Sequence, residues 1–567
     1  MMKKLLCLLI ACTAFAVADD SKISRDLKGK NGDAAVDVIV QYKVAPTQRH
    51  KDRIAAHGGQ FKSDLAIVKG VTASVPANKI GDLSDDPDVA FVTPDRTLYP
   101  SMNYVTVAAG ATYAWQQGFS GSGIAVAVID SGIDTSAVDF NVSGGKTSRV
   151  LYSQNFVTGD KTTNDLYGHG THVASIVAGN GASSTCSTCF MTFKGMAPSA
   201  NLVNLRVLNG RGAGQDSWVI SAIQTAISLK SKYNIRVINL SLGRPVFESY
   251  SQDPLCQAVE QAWKAGIVVV VAAGNDGRNN SVSTNGYGTI AAPGNDPFVI
   301  TVGAMKTLDT MTTSDDTIAS YSSKGPTLYD HVVKPDIVAA GNRVVARAAA
   351  NGYVLATYTI NRIPYTYYQT TINPFLSPYY YQMSGTSMAA GVVSGAVADL
   401  LQAHSALTPD QVKARLMKTA AKSFPQYSSV YDPSTGITFT SQYDVFTVGA
   451  GYLDLAAALM NTDLATLPAT SPRVAYDPST QSVYFVNDSS ALWGSSALWG
   501  SSALWGSQAF VGTQSALWGS SALWGSSALW GSSSTSGFSA LWGSSALWGS
   551  STNTAGETTT LLVTGEN

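Results

Sequence analysis

Charged residues are scarce in this chain, and neither sign of charge prevails. Asp, Glu, Lys and Arg make up 13% of the 567 residues, where about 25% is usual. The 37 basic and 38 acidic residues leave a formal net charge of −1 at pH 7. A protein that binds nucleic acid by neutralising phosphates needs a basic excess, so the composition argues against nucleic acid as a partner.

Long apolar runs are also missing, except close to the N-terminus. Two lysines at positions 3 and 4 precede an apolar run that stops at about Phe15, and the small residues Ala16-Val17-Ala18 follow. The run is shorter than the roughly 20 residues of a membrane-spanning helix and has the order of a secretory signal peptide. We therefore predict a signal peptide over residues 1–18 and secretion of the rest. The alternative is a lipid anchor on Cys12, because Leu9-Ile10-Ala11-Cys12 resembles a lipoprotein box.

Cysteine is rare too, with five residues in the whole chain. Two of them lie in the predicted signal peptide, which leaves Cys186, Cys189 and Cys256 in a compartment that permits disulfides. Cys186 and Cys189 have the spacing of a redox or metal site, but no second pair and no His lie nearby in the sequence. We predict a local disulfide between these two and one cysteine left over.

The region from Ala35 to about Asp95 alternates strand-like and helix-like patterns. Apolar residues alternate at 36–40, a helix-compatible stretch follows, and strand-like, helix-like and strand-like stretches complete the region. This order predicts β-α-β-β-α-β, a small α+β unit of ferredoxin-like type. About 60 residues are marginal for independent stability, so we expect this unit to depend on the chain that follows.

From about Tyr104 to Met460, short apolar runs alternate with longer amphipathic stretches. Runs that are apolar on both faces and separated by helix-length segments predict a buried parallel sheet flanked by helices, an α/β fold. Ligands bind such sheets beyond the carboxyl ends of the strands. The predicted strands are 124–129, 202–208, 237–240, 267–272 and 298–302.

The chain becomes periodic after a linker. The sequence SALWGS occupies 490–495 and recurs from 496, 502, 515, 521, 527, 539 and 545. These copies hold eight of the 11 tryptophans, and no charged residue occurs between Ser489 and Gly556. An even period returns every Trp of an extended chain to one face, whereas a helix would scatter them. We predict a separate module that adheres to the cell surface, to polysaccharide or to other copies of itself; a flexible low-complexity tail is the alternative.

Four residues lie where catalytic groups gather in a parallel sheet. Asp130 ends the first predicted strand, and Asn275 follows the fourth. His169 opens an apolar helix after a Gly-rich turn, and Ser387 begins a second, longer apolar helix. Taken singly, each has a plainer explanation. Asp130 and Ser387 are at positions typical of turn and cap residues, and His169 with His172 has the spacing of a metal pair, though without an acidic ligand nearby.

Together the four residues fit acyl transfer. A serine nucleophile needs a base to take its proton, a carboxylate to orient that base and donors aimed at the oxyanion. Ser387, His169 and Asp130 supply the first three roles. Asn275 supplies one oxyanion donor, and the backbone amide of Ser387 at its helix N-terminus supplies the second. Four histidines follow residue 100, and of these His169 alone follows directly on a Gly-rich turn with an apolar helix behind it.

The motifs around these residues resemble the catalytic boxes of the subtilisin family of serine proteases, the subtilases. The resemblance covers most of 36–460. It implies a subtilisin-like α/β fold and a serine endopeptidase that acts on proteins or peptides and needs no cofactor for its chemistry. The matching boxes are Val128-Ile129-Asp130-Ser131-Gly132, Gly168-His169-Gly170-Thr171-His172-Val173-Ala174, Gly385-Thr386-Ser387-Met388-Ala389 and Ala273-Gly274-Asn275.

The resemblance also implies where a substrate lies. The substrate backbone is expected to pair with two strand edges, Ser241-Leu242-Gly243 and Gly212-Ala213-Gly214. Ala272, Ala273 and Gly274 are expected to form one wall of the primary pocket, with Ala291 at its base. Small, uncharged residues leave a wide apolar slot, which favours Phe, Tyr, Leu or Met before the cut bond.

By the same resemblance, the region before the catalytic domain is an inhibitory propeptide that occupies the cleft until it is cut away. Pro100 makes the bond after Tyr99 a poor cut site, so we expect maturation nearby but not there. The predicted divisions are a signal peptide at 1–18, a propeptide at 19–103, a catalytic domain at 104–460, a linker at 461–489, the repeats at 490–550 and a tail at 551–567.

Three departures from the family's pattern limit what the resemblance implies. Asp139 matches a calcium ligand of the family by its distance from Asp130, but a cysteine-bearing loop at 181–190 replaces the loop expected to supply the other ligands. A structural calcium ion is therefore left open. Arg244, where a second Gly often follows, and the long Tyr-rich stretch 353–381 are expected to reshape one end of the cleft.

Two other functions fit parts of the sequence. A surface adhesin on an inactive protease scaffold would bind through the Trp repeats, but the catalytic boxes are intact. An esterase or lipase would carry Gly-x-Ser-x-Gly and place its Ser first in chain order, whereas Ser387 comes last. We therefore expect a secreted serine endopeptidase made as a zymogen.

Overall fold

The computed structural model describes residues 22–24, 27, 32–95, 101–281, 284–370, 375–477, 482–486 and 566. The chain divides into two units, Met1–Tyr99 and Pro100–Asn567. The predicted signal peptide and the SALWGS repeats lie outside the described residues, so both stay predictions.

The first unit is a four-stranded antiparallel sheet with two helices. Its elements are β1 (Ala35–Tyr42), α1 (Gln48–Ala56), β2 (Gln60–Leu65), β3 (Gly70–Pro76), α2 (Ile80–Ser84) and β4 (Val89–Pro94). The strand order is β2-β3-β1-β4, and the predicted order of strands and helices is present. Val38 and Val40 are fully buried because alternate residues of β1 face the same side, where Ile54 of α1 joins them in one apolar core.

The second unit is built around a larger sheet. In chain order its helices and strands are α3 (Ser101–Ala108), α4 (Ala111–Gln116), β5 (Ala125–Asp130), β6 (Val150–Asn155), α5 (His169–Ala178), β7 (Asn201–Arg206), α6 (Asp216–Tyr233), β8 (Ile235–Leu240), α7 (Pro254–Lys264), β9 (Val268–Ala272), β10 (Ile300–Lys306), β11 (Thr317–Ile318), β12 (Ile337–Ala340), β13 (Val344–Arg347), α8 (Tyr353–Thr357), β14 (Arg362–Pro364), β15 (Leu376–Met383), α9 (Thr386–Ala403), α10 (Pro409–Thr419), β16 (Tyr427–Asp432), β17 (Ile437–Gln442), α11 (Val445–Val448), α12 (Leu455–Met460), β18 (Arg473–Asp477) and β19 (Ser482–Val486).

All five predicted strands lie in this sheet. Its order is β11-β10-β9-β8-β5-β7-β6, with β12 also paired to β10, and every pair but β10–β11 is parallel. Every residue of β5 and β9 is buried, because helices cover the sheet and leave neither face to water. The boundaries differ from prediction mainly in β10, which begins at Ile300 and continues to Lys306.

Helix α9 lies at the centre of the unit, where it packs on the sheet and on α5. Small residues allow this approach. A Cβ added at Gly391 would lie 3.2 Å from Ile176, and one at Gly395 would lie 2.4 Å from Met196. The start of α9 is thereby brought to the edge of the sheet where β5, β8 and β9 end. The catalytic candidates from four distant segments meet at that edge.

Smaller features complete the second unit. Strands β13, β15 and β14 form a separate antiparallel sheet, and β16–β17 and β18–β19 are hairpins. Residues 461–489, which we expected to be a linker, contain the hairpin β18–β19. This hairpin is hydrogen-bonded to an earlier segment of the unit, because the amide of Val474 in β18 donates to the carbonyl of His331 over 2.9 Å. The predicted local disulfide joins Cys186 and Cys189, and burial raises the pKa of the remaining thiol at Cys256. No helix in the described ranges is long and apolar enough to cross a membrane.

Candidate active site

Asp130 and His169 meet at the carboxyl end of β5. The His169 Nδ1 lies 2.8 Å and 3.0 Å from the two carboxylate oxygens of Asp130. An ionised carboxylate only accepts, so Nδ1 carries the proton and Nε2 of the neutral ring is left to accept one. The close packing depends on Gly170, where an added Cβ would lie 2.3 Å from the carbonyl oxygen of Gly132.

Asp165 organises the turn that precedes His169, and the sequence did not single it out. Its buried carboxylate accepts from the hydroxyl of Ser131 at 2.8 Å, from the amide of Gly168 at 2.7 Å and from the amide of Thr171 at 2.8 Å. It therefore ties the residue after Asp130 to the first turn of α5. The available signal was an acidic residue four positions before His169, just ahead of the Gly-rich turn.

The charges around His169 favour its protonated form. Burial lowers its pKa, but the Asp130 carboxylate, the hydrogen bond to Nδ1 and the Asp165 carboxylate outweigh burial, so the pKa lies above its usual value of 6.5. His172 behaves in the opposite way, since burial and the neighbouring His169 lower its pKa to about 3. Its Nε2 lies 3.1 Å from two backbone carbonyl oxygens, those of Val344 and Tyr381. That nitrogen is a donor, which does not fit a metal ligand.

Ser387 is the second residue of α9 and is buried. Its hydroxyl donates to the carbonyl of Ser241 over 3.1 Å, and the Ser241 hydroxyl donates back to the carbonyl of Ser387 over 2.8 Å. Among the described residues, no hydrogen bond joins Ser387 to His169. The structure thus joins Asp130 to His169 by one set of hydrogen bonds and Ser387 to Ser241 by another.

Asn275 is fixed to the start of α9 by Thr386. Its Oδ1 accepts from the Thr386 amide at 3.0 Å and from the Thr386 hydroxyl at 3.1 Å. This pattern assigns the oxygen to the helix and turns the amide nitrogen outward. In the part of the chain that the structure describes, no group accepts from that nitrogen. Gly274 reinforces the junction, because its amide donates to the Thr386 hydroxyl over 3.2 Å.

Three small residues converge beside this junction. A Cβ added at Gly243 would lie 3.0 Å from the Cβ of Ala291, and one at Gly274 would lie 3.2 Å from it. Ala273 is fully buried, and its backbone bonds to Val302 and Ala291, so it supports this wall from behind. Gly243 is exposed and Gly274 is half-buried. The predicted pocket residues Gly243, Gly274 and Ala291 are therefore neighbours, and the two glycines leave open the space beside Ala291 that a Cβ on either of them would occupy.

The predicted edge Gly212-Ala213-Gly214 lies beyond β7, beside the turn that precedes His169. Gly212 is in a left-handed turn, and an added Cβ would lie 2.7 Å from the ring of Tyr167. Gly214 is exposed next to it. Tyr167 stacks on Tyr353 with 6.2 Å between ring centroids, and the Tyr353 amide donates to the carbonyl of Leu166 over 2.9 Å. The start of the Tyr-rich stretch 353–381 thus packs against the turn that precedes His169.

Leu242 lies in the predicted edge Ser241-Leu242-Gly243, and Arg244 follows it directly. Leu242 is half-buried and packs on the core. The Arg244 guanidinium is held by Asp216 at 2.8 Å and Asp253 at 2.9 Å, and its amide donates to the carbonyl of Ala292 over 3.0 Å. These bonds direct the charge of Arg244 onto two carboxylates of its own chain.

The residues around Asp139 do not fit the calcium site that the resemblance implied. The buried carboxylate faces the Arg347 guanidinium at 3.4 Å, accepts from the Tyr380 hydroxyl at 2.9 Å and accepts a further bond from Ser183. A cation and two hydroxyl donors satisfy it. Within the described ranges, no group of three His, Cys, Asp or Glu residues could hold a metal ion.

Comparisons with known proteins place this chain among serine proteases of one family. A family model described as the subtilase family matches residues 121–443. Serine protease AprX of Bacillus subtilis (strain 168) is 34% identical over 384 residues, which are 66% of this chain and 78% of the relative. Subtilisin E of the same strain is 33% identical over 420 residues, 73% of this chain and 92% of the relative. A solved structure, that of a cold adapted subtilisin-like serine proteinase, covers 54% of this chain and 84% of its own at 27% identity and a TM-score of 0.38.

Proposed function

The chain belongs to the subtilase family of serine proteases, and we propose that it is a secreted endopeptidase, made as a zymogen, whose nucleophile is Ser387. The observation that carries the proposal is the meeting of four segments at one sheet edge. His169 Nδ1 lies 2.8 Å from Asp130, while Asn275 is bonded through Thr386 to the helix that presents Ser387.

The proposed reaction starts with rotation of the Ser387 side chain. Its hydroxyl leaves the Ser241 carbonyl and turns toward His169 Nε2, which takes the proton as Ser387 attacks the substrate carbonyl. Asp130 stabilises the imidazolium and keeps the ring in this tautomer. The oxyanion is held by the Asn275 amide and the Ser387 backbone N–H. His169 then protonates the leaving amine, and a water molecule, activated by His169, hydrolyses the acyl-enzyme.

The direct test is Ser387→Ala assayed on casein. We expect hydrolysis to be abolished and the uncut precursor to accumulate, because the change removes the nucleophile and only one hydroxyl from the structure. Ser394→Ala is the matched control. It also removes a buried hydroxyl from α9, one that donates to Asn239 over 2.8 Å, and it should keep hydrolysis. Full activity of Ser387→Ala would refute the assignment.

The specificity we propose is for a large apolar residue before the cut bond. Support comes from the convergence of Gly243, Gly274 and Ala291, none of which brings charge or bulk. Burial of a Phe, Tyr, Leu or Met side chain there contributes about 1.5–3 kcal/mol. A peptide-library profile dominated by Arg or Lys at that position would contradict this.

The first unit, within residues 19–103, is proposed to be the inhibitory propeptide. Its size of about 60 residues is marginal for a lone domain, which agrees with a folding aid that is discarded. Purified 19–103 added to the mature enzyme should inhibit hydrolysis of a short peptide. Mass spectrometry of the secreted termini identifies the cut bond and tests the predicted cleavage after Ala18.

The SALWGS repeats are proposed to adhere to surfaces and to be dispensable for peptide hydrolysis. Their test is an internal deletion of 490–550 that keeps residues 551–567, because Glu566 is part of the folded second unit. Unchanged hydrolysis together with reduced binding to cells and insoluble polymers supports both parts. Lost hydrolysis would refute dispensability, and unchanged binding would refute adhesion.

A further inference from the structure

Glu566 is buried in the second unit, far along the chain from the residues it contacts. Its side chain is 1% exposed. The carboxylate accepts from the Ser320 amide at 3.0 Å and 3.1 Å, from Arg278 at 2.9 Å and from the Ser320 hydroxyl, and Lys306 lies 3.4 Å away. The Asn342 side chain holds the backbone of Glu566 on both sides, donating to its carbonyl at 2.9 Å and accepting from its amide at 3.0 Å.

The groups that receive Glu566 are held in place by the catalytic unit itself. The Arg278 guanidinium donates to the Ser320 hydroxyl at 2.6 Å and to Asp432 at 2.6 Å, and it lies 4.3 Å from the ring centroid of Phe439. Arg278 and Lys306 are 11% and 5% exposed in their side chains. Buried cations are costly without a paired anion, and the Glu566 carboxylate faces both of these cations. This is a carboxylate site built into the fold.

We propose that this site is a receptor for Glu566 of the same chain, which anchors the region after the SALWGS repeats to the catalytic unit. The chain ahead of the repeats is also held, because the hairpin β18–β19 is hydrogen-bonded through Val474 to the carbonyl of His331. The repeats are therefore connected to the enzyme at both ends. The site recognises a glutamate by its carboxylate and by the backbone on either side of it.

The receptor also supports the two segments that frame the candidate active site. On one side, Ser323 donates to the Gly274 carbonyl at 3.0 Å and Gly277 donates to the Tyr321 carbonyl at 2.9 Å, which joins the Ser320 loop to the turn of Asn275. On the other side, the residue before Asn342 accepts from Gly385 at 2.8 Å, just ahead of Ser387. Glu566 bridges these segments, so its anchoring braces both the oxyanion turn and the start of α9.

Hydrogen–deuterium exchange of the full chain tests the proposal. The measurement uses Ser387→Ala protein, so its result does not depend on protease activity. The anchoring by Glu566 can therefore be refuted while the proposed protease function stands, and the reverse. Glu566→Gln, which removes the charge, should speed exchange in 274–278, 319–323 and 341–343 by roughly 10²-fold, since breaking a buried pair leaves uncompensated charge. Glu557→Gln removes the same charge from the same stretch of sequence and should match the parent.

Several results would overturn the proposal. Equal exchange in Glu566→Gln and the parent would show that Glu566 does not hold these segments. Protection that disappears on strong dilution would show that a second copy supplies the glutamate. Thermal unfolding checks that each variant is folded. If Glu566→Gln does not fold, Glu566→Asp replaces it, because Asp keeps the charge but shortens the side chain. Its exchange rate at the same three segments should exceed that of the parent by less than the roughly 10²-fold expected for loss of the charge. An exchange rate equal to that of the parent would overturn the proposal.

Discussion

Asn275 is oriented by Thr386: its Oδ1 accepts from the Thr386 amide at 3.0 Å, which turns the side-chain nitrogen away from the helix. Thr386 immediately precedes Ser387. The proposed oxyanion donor and the proposed nucleophile are therefore positioned by one junction, between the turn after β9 and the first residues of α9. Placing a donor before the reaction begins is what makes it effective for the charge that develops later.

Asn275→Ala should lower kcat roughly 10²- to 10³-fold with little change in KM, a magnitude known for loss of such a donor in a subtilisin. Asn275→Asp is the matched variant, because it keeps the size and the acceptor toward Thr386 but replaces the donor with a negative charge. It should be at least as impaired. Steady-state kinetics on a short peptide measure kcat and KM for each variant. A change in KM alone would show that Asn275 binds the substrate and the transition state equally well, which would contradict its role as an oxyanion donor.

The pH dependence should report His169. Its pKa is raised above 6.5, and the protonated ring cannot accept a proton from Ser387. Activity is therefore present above the raised pKa and lost as pH falls through it. Asp165→Asn removes one charge that raises this pKa, so the acid limb of kcat/KM should move to lower pH. A midpoint below 6.5 in the parent, or a limb that moves upward in the variant, would contradict this assignment.

Arg347→Met should destabilise the protein by about 3–5 kcal/mol, because it leaves the buried Asp139 carboxylate without the cation 3.4 Å away. Arg347→Lys keeps a cation and should lose less. Urea unfolding measures both. Since Arg347 and hydroxyl donors satisfy Asp139, a chelator should not lower the Tm of the parent. A parent that loses stability in chelator and an Arg347→Met variant as stable as the parent would together point to a metal ion at Asp139.

Ala291→Ile should change specificity without removing catalysis. The added side chain fills the space beside Gly243 and Gly274, so kcat/KM for substrates with Phe before the cut should fall by about 10- to 100-fold, the equivalent of the lost burial. Substrates with Ala there should be affected little. Ala291→Gly is the control and should keep the preference for large residues. An equal loss for Phe and Ala substrates would place Ala291 outside the pocket.

The sequence predicts the parts of this protein that depend on local patterns. Strands such as β5 are apolar on both faces, and catalytic candidates such as Asp130 lie at their carboxyl ends, so a predicted strand also locates the motif at its end. Contacts between distant segments leave no such pattern. Arg347 faces the buried Asp139 carboxylate, and Glu566 is buried against Arg278, because folding brings together residues whose spacing in the chain carries no signal. The hydrogen bond from the Ser387 hydroxyl to the Ser241 carbonyl could not be predicted from the sequence either, because it depends on the rotamer of the Ser387 side chain.

The role of Ser387 as nucleophile is tested by covalent labelling of the folded protein with phenylmethylsulfonyl fluoride, followed by mass spectrometry of the peptide that contains Ser387. We expect one sulfonyl adduct, located on Ser387, with casein hydrolysis lost in proportion to labelling. In His169→Ala the adduct should form far more slowly, because the base that activates the hydroxyl is gone. Hydrolysis lost while Ser387 stays unlabelled, or labelling of Ser387 that leaves hydrolysis intact, would contradict it.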